Sequence, residues 1–410
     1  MATTVDPQPL GKEEFNPFGP AFRNDPEAFY GDLVRQSLGF MTMEGVRSSW
    51  VGSYAECLAV LRDPARFSSL KPKGLPGMER VDFFNGLPVM NYSDPPDHTR
   101  RRKVVNAAFL PKRTEPLNVE AGRIIDEVFD RVVDRGGGID AVGELTKPLS
   151  LEILLDHFLK VDKQDQRIFT EYFGTFHLFD KLKPGDPKPQ PFLDVWQEGQ
   201  DYCRRQYALA QEGKCDNLIG LIARSVDEGQ IGEDEMLAMM IVLLIGGVST
   251  VAAAAGSALL RLAWNPDIAD RIRADLSLAA RHHEESLRID PPVATVLRFG
   301  TEGSEIRGTP IPRDMPVYVM MASANRDPSV FPDPDRFTID RTNSHTHLSF
   351  GYGIHACIGN AITRNLVPLL IRKTVERFKR IDLADDPEAI GYDISNPRGR
   401  HLARLMLELG

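Results

Sequence analysis

Cysteine is scarce in this chain, with four in 410 residues. Cys57, Cys203, Cys215 and Cys357 make no CxxC pair and no framework spacing, which argues against a disulfide scaffold or a Cys-rich zinc module. Cys203 and Cys215 are near enough in sequence to pair, but free cytosolic thiols are the simpler expectation. Positive charge is also short: 49 Lys and Arg face 58 Asp and Glu, a net charge of −9. Nucleic acid wants a basic footprint and anionic lipid attracts the same charge, so both partner classes are disfavoured. The N-terminus, Met-Ala-Thr-Thr-Val-Asp-Pro-Gln-Pro, lacks a basic stretch followed by an apolar core, so no signal peptide or membrane anchor is expected there. No Lys-Ser/Thr follows the glycines of Arg135-Gly136-Gly137-Gly138, which read as a turn and not a phosphate loop.

Long hydrophobic runs are absent, with one exception. Met236 to Leu260 carries no charged residue. Its length alone makes it a candidate membrane span. The acidic flank Glu233-Asp234-Glu235, its isolation among amphipathic patterns, and the helix-weakening Gly246-Gly247-Val248-Ser249-Thr250 favour the central helix of a large core. From Glu233 to a stop at Asn265-Pro266, such a helix is about 48 Å long. Amphipathic patterns fill 116–230, as in Ile124, Ile125, Val128, Phe129 and Val132. Phe40 to Val51, Val293 to Phe299 and Val317 to Met321 read as strands. Asp25, Ser53 and Asp94 are placed to cap helices, with Pro95 suited to a first helical position. The patterns are thus mainly helical with a few strands, behind a Pro-rich arm over 1–24, and the length allows two domains or one large one.

The distinctive stretch runs from His347 to Arg364. Cys357 sits there in a loop bracketed by Gly351, Gly353 and Gly359, just before a helical pattern that includes Leu366, Val367, Leu369 and Leu370. A loop-to-helix junction offers unpartnered N–H groups and a positive helix end, which favour a thiolate. Glycines let the backbone approach whatever the sulfur binds. The plain alternative is a buried free cysteine in a turn. Three further patterns carry chemistry. Asp94-Pro95-Pro96-Asp97-His98 to Arg102 puts His98 and Arg102 on one helix face, either solvated or aimed at an anion. Glu285-Ser286-Leu287-Arg288 puts a carboxylate and a guanidinium on one face, ahead of a stop at Asp290-Pro291-Pro292. From Leu70 to Tyr92 a Gly/Pro-punctuated loop carries large apolar groups that must bury against something: a substrate or the core. The pairs His282-His283 and His345/His347 lack the spacing of a metal site.

Phe-x-x-Gly-x-x-x-Cys-x-Gly, with Phe350, Gly353, Cys357 and Gly359 in place, resembles the haem-ligand loop of the cytochrome P450 family. Asp-Pro-Pro-x-His-x-x-x-Arg, the Gly-Gly helix, ExxR and the meander Phe331 to Phe337 also stand in family order, so the resemblance covers nearly the whole chain from Asp25. It implies the cytochrome P450 fold, mainly α with a small β-rich region in a single domain over 25–410, haem b (iron protoporphyrin IX), and Cys357 as the iron's thiolate ligand. Phe350, Gly351 and Gly359 would shape the ligand loop. His98, Arg102, Arg298 and His355 would hold the haem propionates. Glu285 and Arg288 would form a structural ion pair completed by Arg336. Thr250 would position water and protons, with Ser249 standing where the family usually has an acid. The reaction implied is insertion of one oxygen atom from dioxygen into an apolar, aromatic or terpenoid-like molecule.

The pocket candidates are Phe83, Phe84, Leu87, Val89, Gly246, Val248, Val293 and Val296. Arg80 is either a carboxylate anchor or a surface charge. No flavin or ferredoxin module is visible, so electrons would come from a separate ferredoxin and reductase. Arg100, Arg101, Lys103, Lys112, Arg113 and Arg364 would make a basic docking face, or merely a solvated one. The segment from Phe173 to Pro191 would form a lid, and a hairpin turn near Asn396 and Pro397 would touch substrate. A cytoplasmic monomer is expected. Two rivals stand beside this reading: a peroxide-using or non-oxygenating haem-thiolate enzyme, which Ser249 supports, and a haem sensor.

Overall fold

The computed structural model describes residues 19–43, 45–72, 84, 86–175, 178, 179, 182, 186–215, 217–385, 390–393, 399 and 401–410. The charge-free run forms one helix, Glu233–Trp264, of 32 residues. It passes without interruption through Gly246 and Gly247. Among the described residues it is the one helix long and apolar enough to cross a membrane. Its place is inside the fold, packed by helices Lys147–Glu152, Leu218–Asp227, Leu278–Ile289 and Asn360–Arg377. A helix apolar on every side needs such neighbours on every side.

The central helix joins the two largest apolar clusters. Its C-terminal half, Ala254 to Leu262, packs with helices Leu117–Asp134 and Asn360–Arg377. Its N-terminal half, Met236 to Leu243, packs with helices Gln190–Gln211 and Leu218–Asp227. Between them the packing opens. Gly246 and Ser249 are exposed although both halves of the helix are buried, and nothing lies within 4 Å of where a Gly246 Cβ would stand. The middle of the helix therefore borders an internal hollow.

The β-rich part is a five-stranded sheet at one side. Leu38–Met43 and Val46–Val51 pair antiparallel, and Val46–Val51 runs parallel to Pro316–Met320. Thr295–Gly300 and then Phe67–Ser68 complete it, both antiparallel to their neighbours. A small sheet of Gly138–Asp140, Met406–Leu409 and Ile381–Leu383 ties the C-terminus down.

Three local expectations are corrected. Residues 20–24 do not belong to a free arm: they form a short helix, and Phe22 packs its ring against Phe29 and Tyr30. Asp94 does not cap the basic helix Asp97–Asn106; its carboxylate accepts from the N–H of Ser69 and the hydroxyl of Ser68, fastening the end of an edge strand. Ser53 turns its hydroxyl to Glu56, and the N–H of Tyr54 is met by Asp327 at 2.9 Å, a cap 273 residues away in sequence.

Candidate active site

Cys357 lies just before helix Asn360–Arg377, at the end of a loop held by its own backbone. Its N–H donates to the Phe350 carbonyl at 2.8 Å, and the Asn360 side-chain amide donates to its carbonyl at 2.7 Å. Gly351 and Gly353 both have positive φ, at 66° and 71°. A Cβ on Gly353 would stand 2.5 Å from the Leu61 carbonyl, so only glycine fits. A Cβ on Gly359 would come within 3.9 Å of the Cys357 sulfur. Phe350 packs beside the His347 ring and under the Arg364 guanidinium.

Of the four cysteines, three are buried and Cys357 has accessible surface. Yet burial still pushes its thiol pKa up, opposed by the N–H groups of Gly359 and Asn360 and by Arg102 and Arg364. A sulfur that is both accessible and desolvated faces a hollow inside the protein. The opposing donors are the groups that favour thiolate once a metal replaces the proton.

Near the loop lies a set of cationic and ionisable groups that Asp94 reaches only through space, with no carboxylate bonded to them among the described residues. The rings of His98 and His355 stand 4.2 Å apart. Neither nitrogen of His98 has a partner, nor does Nε2 of His355. Burial lowers the His98 pKa, and burial with Arg298 nearby brings His355 down to about 3. Burial also depresses Arg298, to about 10, where its one direct bond is to the Leu297 carbonyl. Arg102 donates to the Ala356 carbonyl at 2.8 Å, inside the cysteine loop. Buried cations are ordinarily paired. Two carboxylates placed among these four residues would supply the missing partners.

The loop rests on a buried ion-pair cluster. Glu285 and Arg288 are fully buried and meet through two bonds of 2.8 and 2.9 Å. Arg288 also donates to the carbonyls of Asn325 and Pro334, at 2.9 and 2.7 Å. The third member is Arg341, which reaches Glu285 at 3.2 Å. Arg336, expected from the sequence, offers its carbonyl to Arg288 while its side chain is exposed. The turn through Asp333, with φ 48°, faces three carbonyls of the meander inward; Arg341 donates to those of Pro332, Asp333 and Arg336. Asn325 carries the cluster to the loop: its amide accepts from Leu348 N–H at 2.7 Å and donates to Ser349 Oγ at 2.9 Å.

On the central helix, Thr250 donates to the Gly246 carbonyl at 2.7 Å, and Ser249 is exposed beside it. Phe84, Val89 and Val248 are buried in one cluster, with Leu87 packed against it. Val293 and Val296 pack instead against the sheet cluster. Phe83, Arg80, Phe176, His177, Asn396 and Pro397 lie outside the described residues.

The basic face is smaller than the sequence suggested. Arg100 and Arg101 both bind Glu235 at the start of the central helix, at 2.6 and 2.7 Å, and Arg364 binds Glu284 at 2.7 Å. That leaves Lys103, Lys112 and Arg113 exposed. Nothing in the run Glu233-Asp234-Glu235 distinguishes the acid that would turn inward, and Arg341 is one arginine among several in its segment. Neither histidine pair gathers a third ligand. Among the described residues, the one three-ligand group is Glu152, Asp156 and His157, already engaged by Arg123 and Lys163.

An accessible yet desolvated cysteine thus stands near two arginines and two histidines that lack a direct acidic partner, a set that suits a haem-thiolate protein. The family model for cytochrome P450 matches residues 60–390, and the chain belongs to that family. It is 32% identical over 358 residues to 6-deoxyerythronolide B hydroxylase of Saccharopolyspora erythraea, covering 84% of this chain and 86% of that one. It is 30% identical over 335 residues to a steroid C26-monooxygenase of Mycolicibacterium smegmatis, covering 82% and 81%. The crystal structure of a myxobacterial cytochrome P450, CYP267B1, in complex with myristic acid superposes with a TM-score of 0.84 at 27% identity, over 96% of this chain and 98% of that one. The protein is an oxidoreductase of the monooxygenase type, and its cofactor is haem b.

Proposed function

We propose that this protein inserts one oxygen atom from dioxygen into an apolar small molecule, aromatic or terpenoid-like, using electrons from a separate ferredoxin and its reductase. The observation that carries the reading is Cys357, the one cysteine of four with accessible surface and yet desolvated, at the end of its glycine-bracketed loop. Cys357 would ligate the iron, and His98, Arg102, Arg298 and His355 would hold the propionates. When bound, the haem supplies dioxygen activation, assisted by electron density from the thiolate. Phe84, Leu87, Val89 and Val248 exclude water and hold an apolar substrate, with Val293 and Val296 on the opposite wall. Gly246 leaves space where a side chain would intrude. Thr250 holds its proton on the Gly246 carbonyl and keeps its lone pairs toward the hollow, where Ser249 adds a second hydroxyl. Relatives named for a steroid and crystallised with myristic acid favour the apolar substrate class. Lys103, Lys112 and Arg113 would receive an acidic ferredoxin. A single-domain monomer that takes in the short helix from Pro20, working in the cytoplasm, completes the reading.

The test is spectroscopic. Reduced protein with carbon monoxide should give the red-shifted Soret band of a thiolate-ligated haem, and Cys357→Ala should abolish it. Retention of that band in the variant would sink the assignment. A ligand panel scored by ferric spin state should favour apolar compounds, and a preference for charged ones would refute the substrate class. Ser249 favours a second reading, in which peroxide serves as oxidant. Equal turnover from added peroxide and from the reductase chain would establish it.

A further inference from the structure

The hydroxyl at Thr250 works only if the helix that carries it is held in place at the hollow. Three successive carbonyls there, of Gly246, Gly247 and Val248, are met by two side-chain hydroxyls. Thr250 supplies the first from within the helix. Ser150, on the neighbouring helix Lys147–Glu152, donates its single proton to the Val248 carbonyl at 2.7 Å, and the Gly247 carbonyl lies 3.3 Å from the same Oγ. Ser150 is 2% exposed, so these bonds form away from competing water.

Leu154, in the turn that follows, presses on the same point. A Cβ at Gly247 would stand 2.9 Å from one of its methyl carbons. Glycine at 247 thus lets this segment approach, and Ser150 fixes the backbone once it is there. A carbonyl has two acceptor positions, so a hydroxyl can add to the bond a helix already makes. Such added bonds bend helices locally.

We propose that Ser150 is a positioning residue for the monooxygenase reaction: it clamps the central helix at Gly247–Val248 and so sets where the hydroxyls of Ser249 and Thr250 point. This rests on the reading of Thr250 given above. Ser150 itself does not touch the hollow's contents in this account; it acts through the backbone one residue before Ser249.

The test uses the haem-loaded protein with its reductase chain and a substrate found by spin-state shift. Ser150→Ala removes the donor, and Ser150→Cys keeps most of the volume with a far weaker donor. Each should release about threefold to tenfold more hydrogen peroxide per reducing equivalent, the scale of one buried hydrogen bond. Amide hydrogen exchange of residues 248–254 should quicken in both, with exchange of helix Asn360–Arg377 unchanged. In a Thr250→Ala background, Ser150→Ala should add little, because the group it positions is gone.

If Thr250→Ala raises peroxide release but neither Ser150 variant does, the clamp is refuted and the reading of Thr250 survives. If Thr250→Ala changes nothing, both fall. Full additivity of the two substitutions would also overturn the proposal. Should Ser150→Ala hold no haem, the cysteine variant decides: wild-type coupling there removes the clamp.

Discussion

Arg288→Ala should leave the protein almost unable to retain haem, although Arg288 touches none of the groups around the hollow. The guanidinium makes five bonds: two to Glu285 and one each to the carbonyls of Asn325, Pro334 and Arg336. Removing it leaves a carboxylate at 0% exposure, and breaking a buried pair on one side costs about 3–5 kcal/mol. Arg341 stays on Glu285 at 3.2 Å, which holds the loss toward the lower end. The orphaned Asn325 and Pro334 carbonyls add about 1–3 kcal/mol each where no water replaces the donor. Against a total stability of roughly 5–15 kcal/mol, that is a large share. The loss falls on Asn325, whose side chain pins Leu348 and Ser349 at the root of the cysteine loop. Arg288→Lys should fare little better, since three donors on one nitrogen cannot span a carboxylate and the carbonyls beyond it. The assay is haem content per purified protein, with the thermal midpoint. Wild-type haem loading in Arg288→Ala would refute the role given to the cluster. So would an unchanged midpoint.

Arg100, with Arg101, holds the Glu235 carboxyl down to about 2, and burial opposes this without reversing it. Its stabilisation is therefore present above about 4.5, its ordinary value, and is lost as pH falls through about 2. Glu235→Gln should be less stable than wild type at pH 7, with the gap closing below 4.5; a gap that ignores pH would contradict the pairing. Charge reversal of Lys112 and Arg113 should slow reduction by an acidic ferredoxin at low salt and flatten its salt dependence, and an unchanged rate would remove the docking face. Ser249→Asp should raise product formed per reducing equivalent, because a hydroxyl cannot relay protons from a matched pKa. General acid–base help is typically worth about 10²–10⁴-fold, so no gain would mean that protons arrive by another route.

Much of the fold was legible because it rests on periodicity. The absence of charge from Met236 to Leu260 announced a helix buried all round, and the helix runs from Glu233 to Trp264. The strands at 38–51 and 295–320 followed from short apolar runs between turns. The cysteine loop was legible for a different reason: its glycines sit where positive φ or a close backbone contact excludes other residues. What resisted reading were side chains whose partners lie far along the chain. Asp94 and Ser53 have cap-like contexts, but their polar atoms were claimed by Ser69 and Glu56. Arg336 and Arg341 both occupy irregular backbone, where no period tells inward from outward. Only the folded meander turns Arg341 to Glu285.

The same limit changes the electrostatics of docking. Six cations in the sequence suggested a broad basic face, but formal charge overstates the field. Arg100 and Arg101 converge on Glu235, which stays ionised well below neutral pH. Arg364 faces Glu284; burial would raise that carboxyl, yet His347 and Arg364 hold it below the usual range. Neither acid takes a proton at physiological pH, so the two carboxylates cancel two of the six charges, and Asp97, 3.0 Å from Arg100, offsets a third. On the proposed docking of an acidic ferredoxin, steering would then fall to Lys103, Lys112 and Arg113. Screening confines each to roughly 8 Å at physiological salt. Beside them Leu110 is 56% exposed, between a 3-10 turn and the short helix carrying Lys112 and Arg113. A few charges beside an apolar contact should steer weakly and release readily. An electron donor that must leave between two successive reductions needs a surface of that kind.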